Sequence, residues 1–273
     1  MKIKISKLKN PTDAISQMEI FIEIVKTLRS NCEWDKSQTH KSISHLLIEE
    51  TYEVFDAISQ NNFDELSKEL GDILLHIVMH SVIAEEENNF TFAEVISKIS
   101  EKMIRRHPHI FGDTVVDGTN EILDLNQILT NWEKIKMQEG RKSVLEGVPN
   151  SLPSLLKAER IQEKAAKVGF DWDDKNDVWK KVEEEISELK IEIENGDKEK
   201  IEDEIGDVIF AIVNAARFEG IVPEQALQKT NSKFISRFQH IEKRAKESGL
   251  ELKNMTLEQM DEFWNEAKKQ END

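Results

Sequence analysis

The sequence predicts an all-α protein built from two tandem helical units related by internal duplication. Three observations point there. The 273 residues include only 10 Gly and 5 Pro, so chain breakers are scarce and long helices are favoured. Apolar residues recur at three- and four-residue steps along most of the chain, the spacing of one helix face. Charged and apolar segments of the first half also reappear in the second.

Ile15, Met18, Ile22, Val25 and Leu28 form the stripe of a first helix that stops near Ser30 and Asn31. A second helix is expected over about Ser42 to Ser59. A third starts at Asn62, with Glu65 three residues on as a capping box, and stays apolar through Ala84. Thr91 with Glu94 opens a fourth, which ends before Pro108 because the residue preceding proline is pushed out of the helical region. A fifth covers roughly Glu121 to Glu139. The stretch Gly140 to Pro153 holds two glycines and two prolines without a sustained period, which marks a linker. Further helices then begin near Ser154, Lys175, Asp197, Pro223 and Thr256. Pro223 suits a first helical position, and Thr256 with Gln259 repeats the capping box. The expected organisation is a first unit over 1–140, a linker over 141–153 and a second unit over 154–273.

The duplication is specific. Glu49-Glu50-Thr51-Tyr52-Glu53 overlays Glu184-Glu185-Ile186-Ser187-Glu188, and Glu69-Leu70-Gly71-Asp72 overlays Glu204-Ile205-Gly206-Asp207 at the same offset. Further on, the segment from Lys102 to Ile110 overlays that from Lys233 to Ile241, and Trp132 overlays Trp264. A helix pair cannot bury its own apolar face, so the two units pack on each other or on a second copy of the chain.

Composition narrows the function. With 37 Lys and Arg against 54 Asp and Glu, the formal net charge is −17. Such a chain is a poor partner for nucleic-acid backbones or anionic lipid, and a polyanionic substrate would need cations to mediate its contact. No apolar run reaches membrane length, and the first ten residues alternate lysine with apolar side chains, unlike a secretory leader. One cysteine, Cys32, excludes an intramolecular disulfide and fits a reducing compartment, so the expected address is the cytoplasm. It has no counterpart in the second repeat and reads as structural.

Carboxylates three residues apart share a helix face, so Glu185 with Glu188 and Glu204 with Asp207 each project a pair in one direction. Two such helices packed antiparallel would bring four carboxylates together. Hard oxygen donors with neither imidazole nor thiolate suit Mg²⁺ or Mn²⁺. One Glu-x-x-Glu describes any solvated helix face. The second pair is more telling, because Asp207 borders Val208 to Val213 and Asp72 borders Ile73 to Leu75, segments apolar enough to be buried. Gly71 and Gly206 occupy equivalent places although glycine costs up to about 1 kcal/mol in a helix, so a close approach to that helix is one explanation. Lys233 and Arg237, one turn apart, could meet phosphate oxygens, and Trp264 could stack on a base; solvated cations and a core anchor are the plainer alternatives. His76 and His80 have zinc-compatible spacing, but Ala211 and Ala215 stand at the matching positions, which argues against a required histidine metal site. There is no glycine-rich phosphate loop.

These motifs, with Cys32-Glu33-Trp34-Asp35, Arg105-Arg106-His107-Pro108-His109-Ile110-Phe111, Val168-Gly169-Phe170-Asp171-Trp172 and Asn231-Ser232-Lys233-Phe234, closely resemble the two-domain MazG nucleoside triphosphate pyrophosphohydrolases. The resemblance spans nearly the whole chain. It implies an all-α, Mg²⁺-dependent homodimer, with Mn²⁺ as a possible substitute, that converts nucleoside and deoxynucleoside triphosphates to the monophosphate and pyrophosphate by water attack at the α-phosphorus. It further implies that the C-terminal repeat is catalytic. Metal then falls on Glu185, Glu188, Glu204 and Asp207, phosphate contacts on Lys181, Lys200, Lys233 and Arg237, and Trp264 lies beside the base. The first repeat keeps the acids Glu50, Glu53, Glu69 and Asp72, but has Leu46 and Glu65 where the second has Lys181 and Lys200. It should therefore hold a triphosphate less well. Glu33, where relatives commonly carry proline, is a departure confined to the first repeat. The competing classes are a nonenzymatic dimerisation scaffold, a nucleotide-binding regulatory module, and an enzyme that releases orthophosphate or acts on an alarmone.

Overall fold

The computed structural model describes residues 12–111, 135 and 143–270. Among them every regular element is helical, and the chain divides into two compact units, Met1–Ile122 and Leu123–Asp273. That division precedes the expected linker at 141–153. The expected helix over Glu121 to Glu139, with Trp132, lies outside the described residues except for position 135.

The first unit contains α1 (Ala14–Asn31), α2 (Glu33–Ser37), α3 (Ser44–Ser59), α4 (Phe63–Glu86), α5 (Phe92–Arg106) and the short α6 (Pro108–Phe111). Asp13 caps α1 by accepting from the Ser16 N–H. Cys32 joins α1 to α2: its N–H donates to Leu28 O at 2.8 Å and its carbonyl accepts from Lys36 N at 2.9 Å. The Asn62 side chain caps α4 by accepting from Glu65 N at 3.2 Å, whereas the Glu65 carboxylate accepts from Lys68 at 2.8 Å rather than closing a full capping box. At Thr91 and Glu94 both arms of the box form. The core lies between α1, α3 and α4, around Val25, Ile43, Val78, Met79, Val82 and Ile83.

The second unit contains α7 (Ser154–Ala166), α8 (Lys175–Asn195), α9 (Lys198–Phe218), α10 (Pro223–Glu247) and α11 (Leu257–Gln270). Gly196 ends α8 with φ of +75°, a left-handed conformation that glycine adopts without strain, and Asp197 caps α9 from the next position. A connection this short makes α8 and α9 antiparallel neighbours. Their shared core is Val178, Val182, Ala211 and Ala215, with Phe218 packed against it. The described part of the expected linker is turn, and Val144 O and Glu146 O each accept from the buried Lys164 Nζ of α7, at 3.0 and 2.9 Å.

Two expectations are corrected. Asp72 and Asp207 are exposed, and the buried acids are instead Glu69 and Glu185. The reason is that the segment after Asp207 is covered on one side only: Ala211 and Val213 are buried, while Ile209, Phe210 and Ile212 are exposed. Nor does anything crowd the paired glycines, since a Cβ at Gly71 or Gly206 would meet open space.

Candidate metal and nucleotide site

In the second unit α8 carries Lys181, Glu185 and Glu188 at four- and three-residue steps, and α9 carries Lys200, Glu204 and Asp207. Helix periodicity puts each set on one face, and the antiparallel pairing turns the faces together. Glu185, Glu188 and Glu204 each contribute a carboxylate oxygen, all within 4.8 Å of one another. Asp207 stands outside that trio but close enough for its charge to act on Glu204. Burial, followed by the charges of Glu188, Asp207, Glu185 and Glu192, raises the Glu204 carboxyl above its ordinary range. Its Oε2 is buried with no hydrogen-bond partner. A carboxylate oxygen desolvated among like charges is expensive unless a cation meets it, and hard oxygen donors are the set a divalent Mg²⁺ or Mn²⁺ takes. The residues present fit such an ion.

Lys181 Nζ donates to Glu185 Oε1 at 2.7 Å and to Glu184 Oε1 at 2.9 Å. These bonds hold the ammonium well above its ordinary value. Lys200 reaches Glu192 Oε2 at 3.8 Å. Glu192 was not among the acids expected at the site, although its place seven residues after Glu185 puts it on the same face of α8.

Lys233, Arg237 and Trp264 form a separate group. Arg237 lies over the Trp264 ring, 5.3 Å from its centroid, and Phe234 packs 5.2 Å from the same ring. These residues are on α10 and α11, and none of them lines the cavity that opens beside the acids.

That cavity, of about 530 Å³, runs from Lys181, Glu185 and Asp207 to Phe170, Trp172, Asn214 and Arg217, with Gln162 and Phe210 in its wall. Arg217 is committed within the wall. Its Nη1 donates to Asp171 Oδ2 at 3.0 Å, and its Nε and Nη2 donate to Asn214 Oδ1 at 3.0 and 2.8 Å. The sequence signalled this region only through the run Val168 to Trp172; Gln162, Asn214 and Arg217 carried no spacing that singled them out.

The first unit repeats the acids with different charge balance. Glu50, Glu69 and Asp72 bring oxygens within 4.8 Å of one another, and Glu53 lies beside them. Burial, then hydrogen bonds with Glu65 and Glu53, pushes the Glu69 carboxyl up to about 7. Burial and the Asp72 charge raise Glu50 as well. Glu65, at the place of Lys200, thus adds to the repulsion. His76 and His80 join no metal-ligand group among the described residues: their ring centroids are 6.3 Å apart, and the His80 ring stacks on His40 with the two Nδ1 atoms 2.8 Å apart.

Comparison with known proteins accords with this geometry. The MazG nucleotide pyrophosphohydrolase domain matches twice, over residues 38–111 and 175–242, which contain the two acid clusters. A nucleoside triphosphate pyrophosphohydrolase of Escherichia coli is 41% identical over 268 residues, covering 95% of this chain and all of that protein. One from Thermotoga maritima, the nucleoside triphosphate pyrophosphohydrolase/pyrophosphatase MazG, is 44% identical over 255 residues, covering 92% and 95% respectively. YabN of Bacillus subtilis, whose function is uncharacterised, is 46% identical over 261 residues, covering 93% of this chain and 52% of its own length. With two domain matches and relatives aligned end to end, the chain belongs to the MazG nucleotide pyrophosphohydrolase family.

Proposed function

We propose that the protein hydrolyses nucleoside and deoxynucleoside triphosphates to the monophosphate and pyrophosphate at the C-terminal acid cluster. The observation that carries this is the buried, unpartnered Glu204 oxygen beside Glu185 and Glu188, at the mouth of a cavity large enough for a nucleoside. Mg²⁺, or Mn²⁺ in its place, would be held by Glu185, Glu188, Glu204 and Asp207. When bound it supplies positive charge that draws phosphate oxygens to the site and lowers the pKa of water. Lys181 and Lys200, at the two ends of the acid face, neutralise phosphate charge, and Lys233 and Arg237 are proposed to add to this from α10. Water oxygen bonds to the α-phosphorus while the bond to the bridging oxygen breaks. The water proton passes to a carboxylate of the cluster, and pyrophosphate leaves with the bridging oxygen. For Trp264 the family resemblance favours a place beside the base, whereas its packing under Arg237 favours an orienting role.

A homodimer is part of the proposal. Ile205, Ile209 and Ile212 of α9 are each 45 to 47% exposed, an apolar face that a second copy would cover. Light scattering on the purified protein should give twice the chain mass of 31.6 kDa. Cytoplasmic residence is proposed from the single cysteine, and among the described residues no helix is long and apolar enough to cross a membrane.

The decisive experiment incubates the protein with deoxynucleoside triphosphates and Mg²⁺, with an EDTA control, and separates products by ion exchange. Monophosphate with pyrophosphate, lost in EDTA, is expected. Diphosphate with orthophosphate would assign a different hydrolase. Nucleotide binding without product would assign a regulatory module, and neither binding nor product a scaffold.

A further inference from the structure

The polar groups in the cavity wall are specific about what they leave open. Gln162 is only 7% exposed, and its Nε2 donates to Phe210 O at 2.9 Å, which fixes the other end of the carboxamide as oxygen. That Oε1 is buried, lines the cavity and has no partner. A buried acceptor without a donor costs free energy that a ligand N–H would recover. Asn214 is fixed in the opposite sense, because its Oδ1 already accepts twice from Arg217, leaving its NH₂ as the group for a ligand. The cavity therefore offers one recessed acceptor and one donor, between the aromatic side chains of Phe170, Trp172 and Phe210. Flat aromatic walls with two neutral hydrogen-bonding groups suit a nucleobase.

We propose that this cavity is the base subsite of the C-terminal centre, and that Gln162 Oε1 accepts a hydrogen bond from the exocyclic amine of the base. The assignment rests on the triphosphate reading above. An amine projects beyond the ring and can reach a recessed acceptor. The ring N–H of uracil or thymine lies between two carbonyl oxygens, which would be pressed towards Gln162 Oε1 and the neighbouring Phe210 carbonyl. Cytosine is thus favoured over uracil, two bases of equal size that differ only along this edge. Asn214 NH₂ is placed to donate to a ring nitrogen or to O2. Gln162 is then a specificity residue that touches substrate away from the reacting atoms.

The test compares dCMP, dUMP and the 2-pyrimidinone deoxynucleotide, which lacks the amine, by calorimetric titration of the full chain, alongside kcat/KM for dCTP and dUTP. One neutral hydrogen bond corresponds to about a threefold to tenfold preference, so wild type should bind dCMP better than both other monophosphates by that factor and turn over dCTP better than dUTP. In Gln162→Met the ratios should fall to near one, while Trp264→Ala should keep them. The analogue needs no mutation and so decides the matter even if the variant fails to fold. Equal binding of the three monophosphates by wild type, unchanged ratios in Gln162→Met, or ratios lost in Trp264→Ala would overturn the assignment. If dCMP is preferred but no triphosphate is hydrolysed, the base subsite stands and the proposed reaction falls.

Discussion

Lys181 Nζ sits 2.7 Å from Glu185 Oε1, so the C-terminal acid cluster carries its own cation one helical turn away. The first unit has Leu46 at that place. Replacing Lys181 by Met should therefore push two properties in opposite directions. Divalent cation affinity should rise, because the carboxylates lose a competing positive charge, while KM for a triphosphate should rise about tenfold as a phosphate partner disappears. Calorimetric titration with Mg²⁺ and steady-state kinetics read the two separately. A parallel change in both affinities would show that Lys181 only supports the fold.

Glu204 is the acid whose buried oxygen lacks a partner. Glu204→Gln should lower turnover on the order of a hundredfold or more. In EDTA the same variant should melt no lower than wild type, since burial and four neighbouring acids already disfavour the charged form. The rise in melting temperature on adding Mg²⁺ should shrink in the variant, as ligand stabilisation scales with affinity for the folded state.

Glu69 gives the first unit a defined pH dependence. Its carboxyl is raised from 4.5 to about 7, so across that window the folded unit retains a proton that the unfolded chain has released. Its contribution to stability is present below the unfolded value and is lost as pH rises towards 7. Thermal melts in EDTA should show this decline, and Glu69→Gln should flatten it. Saturating Mg²⁺ should offset it if Glu50, Glu69 and Asp72 hold a cation.

The two acid clusters should differ in use. Glu185→Ala is expected to remove triphosphate hydrolysis, whereas Glu50→Ala should leave it in place. In the first unit, Glu65→Lys with Leu46→Lys should restore the missing cations, lower the Glu69 pKa and confer measurable triphosphate binding, read by calorimetry. Absence of any gain would mean that charge is not what separates the repeats.

Much of this was legible in the sequence because it depends on local periodicity. Asp13, Thr91 and Pro223 mark helix starts through chemistry confined to one turn, and Glu185 with Glu188 share a face wherever their helix goes. The convergence of Glu204 on them was also legible, since Gly196 and Asp197 leave too short a connection for any arrangement but antiparallel. Burial was not. Asp207 borders an apolar run yet is exposed, because only a neighbour in space decides which side of that run is covered. The cavity wall was hidden for the same reason: Gln162 and Phe210 are 48 residues apart in the chain and meet only through packing.

The bonds from Lys164 to the carbonyls of Val144 and Glu146 set where the second unit can be cut free. A fragment beginning at Ser154, at the first residue of α7, would strip two acceptors from an ammonium that is 5% exposed, and an under-solvated buried charge is costly. The autonomous piece is therefore longer than its helices suggest. Limited proteolysis that releases it intact should cleave ahead of Val144, and a loop that looks like a tether behaves as the outermost layer of the domain it precedes.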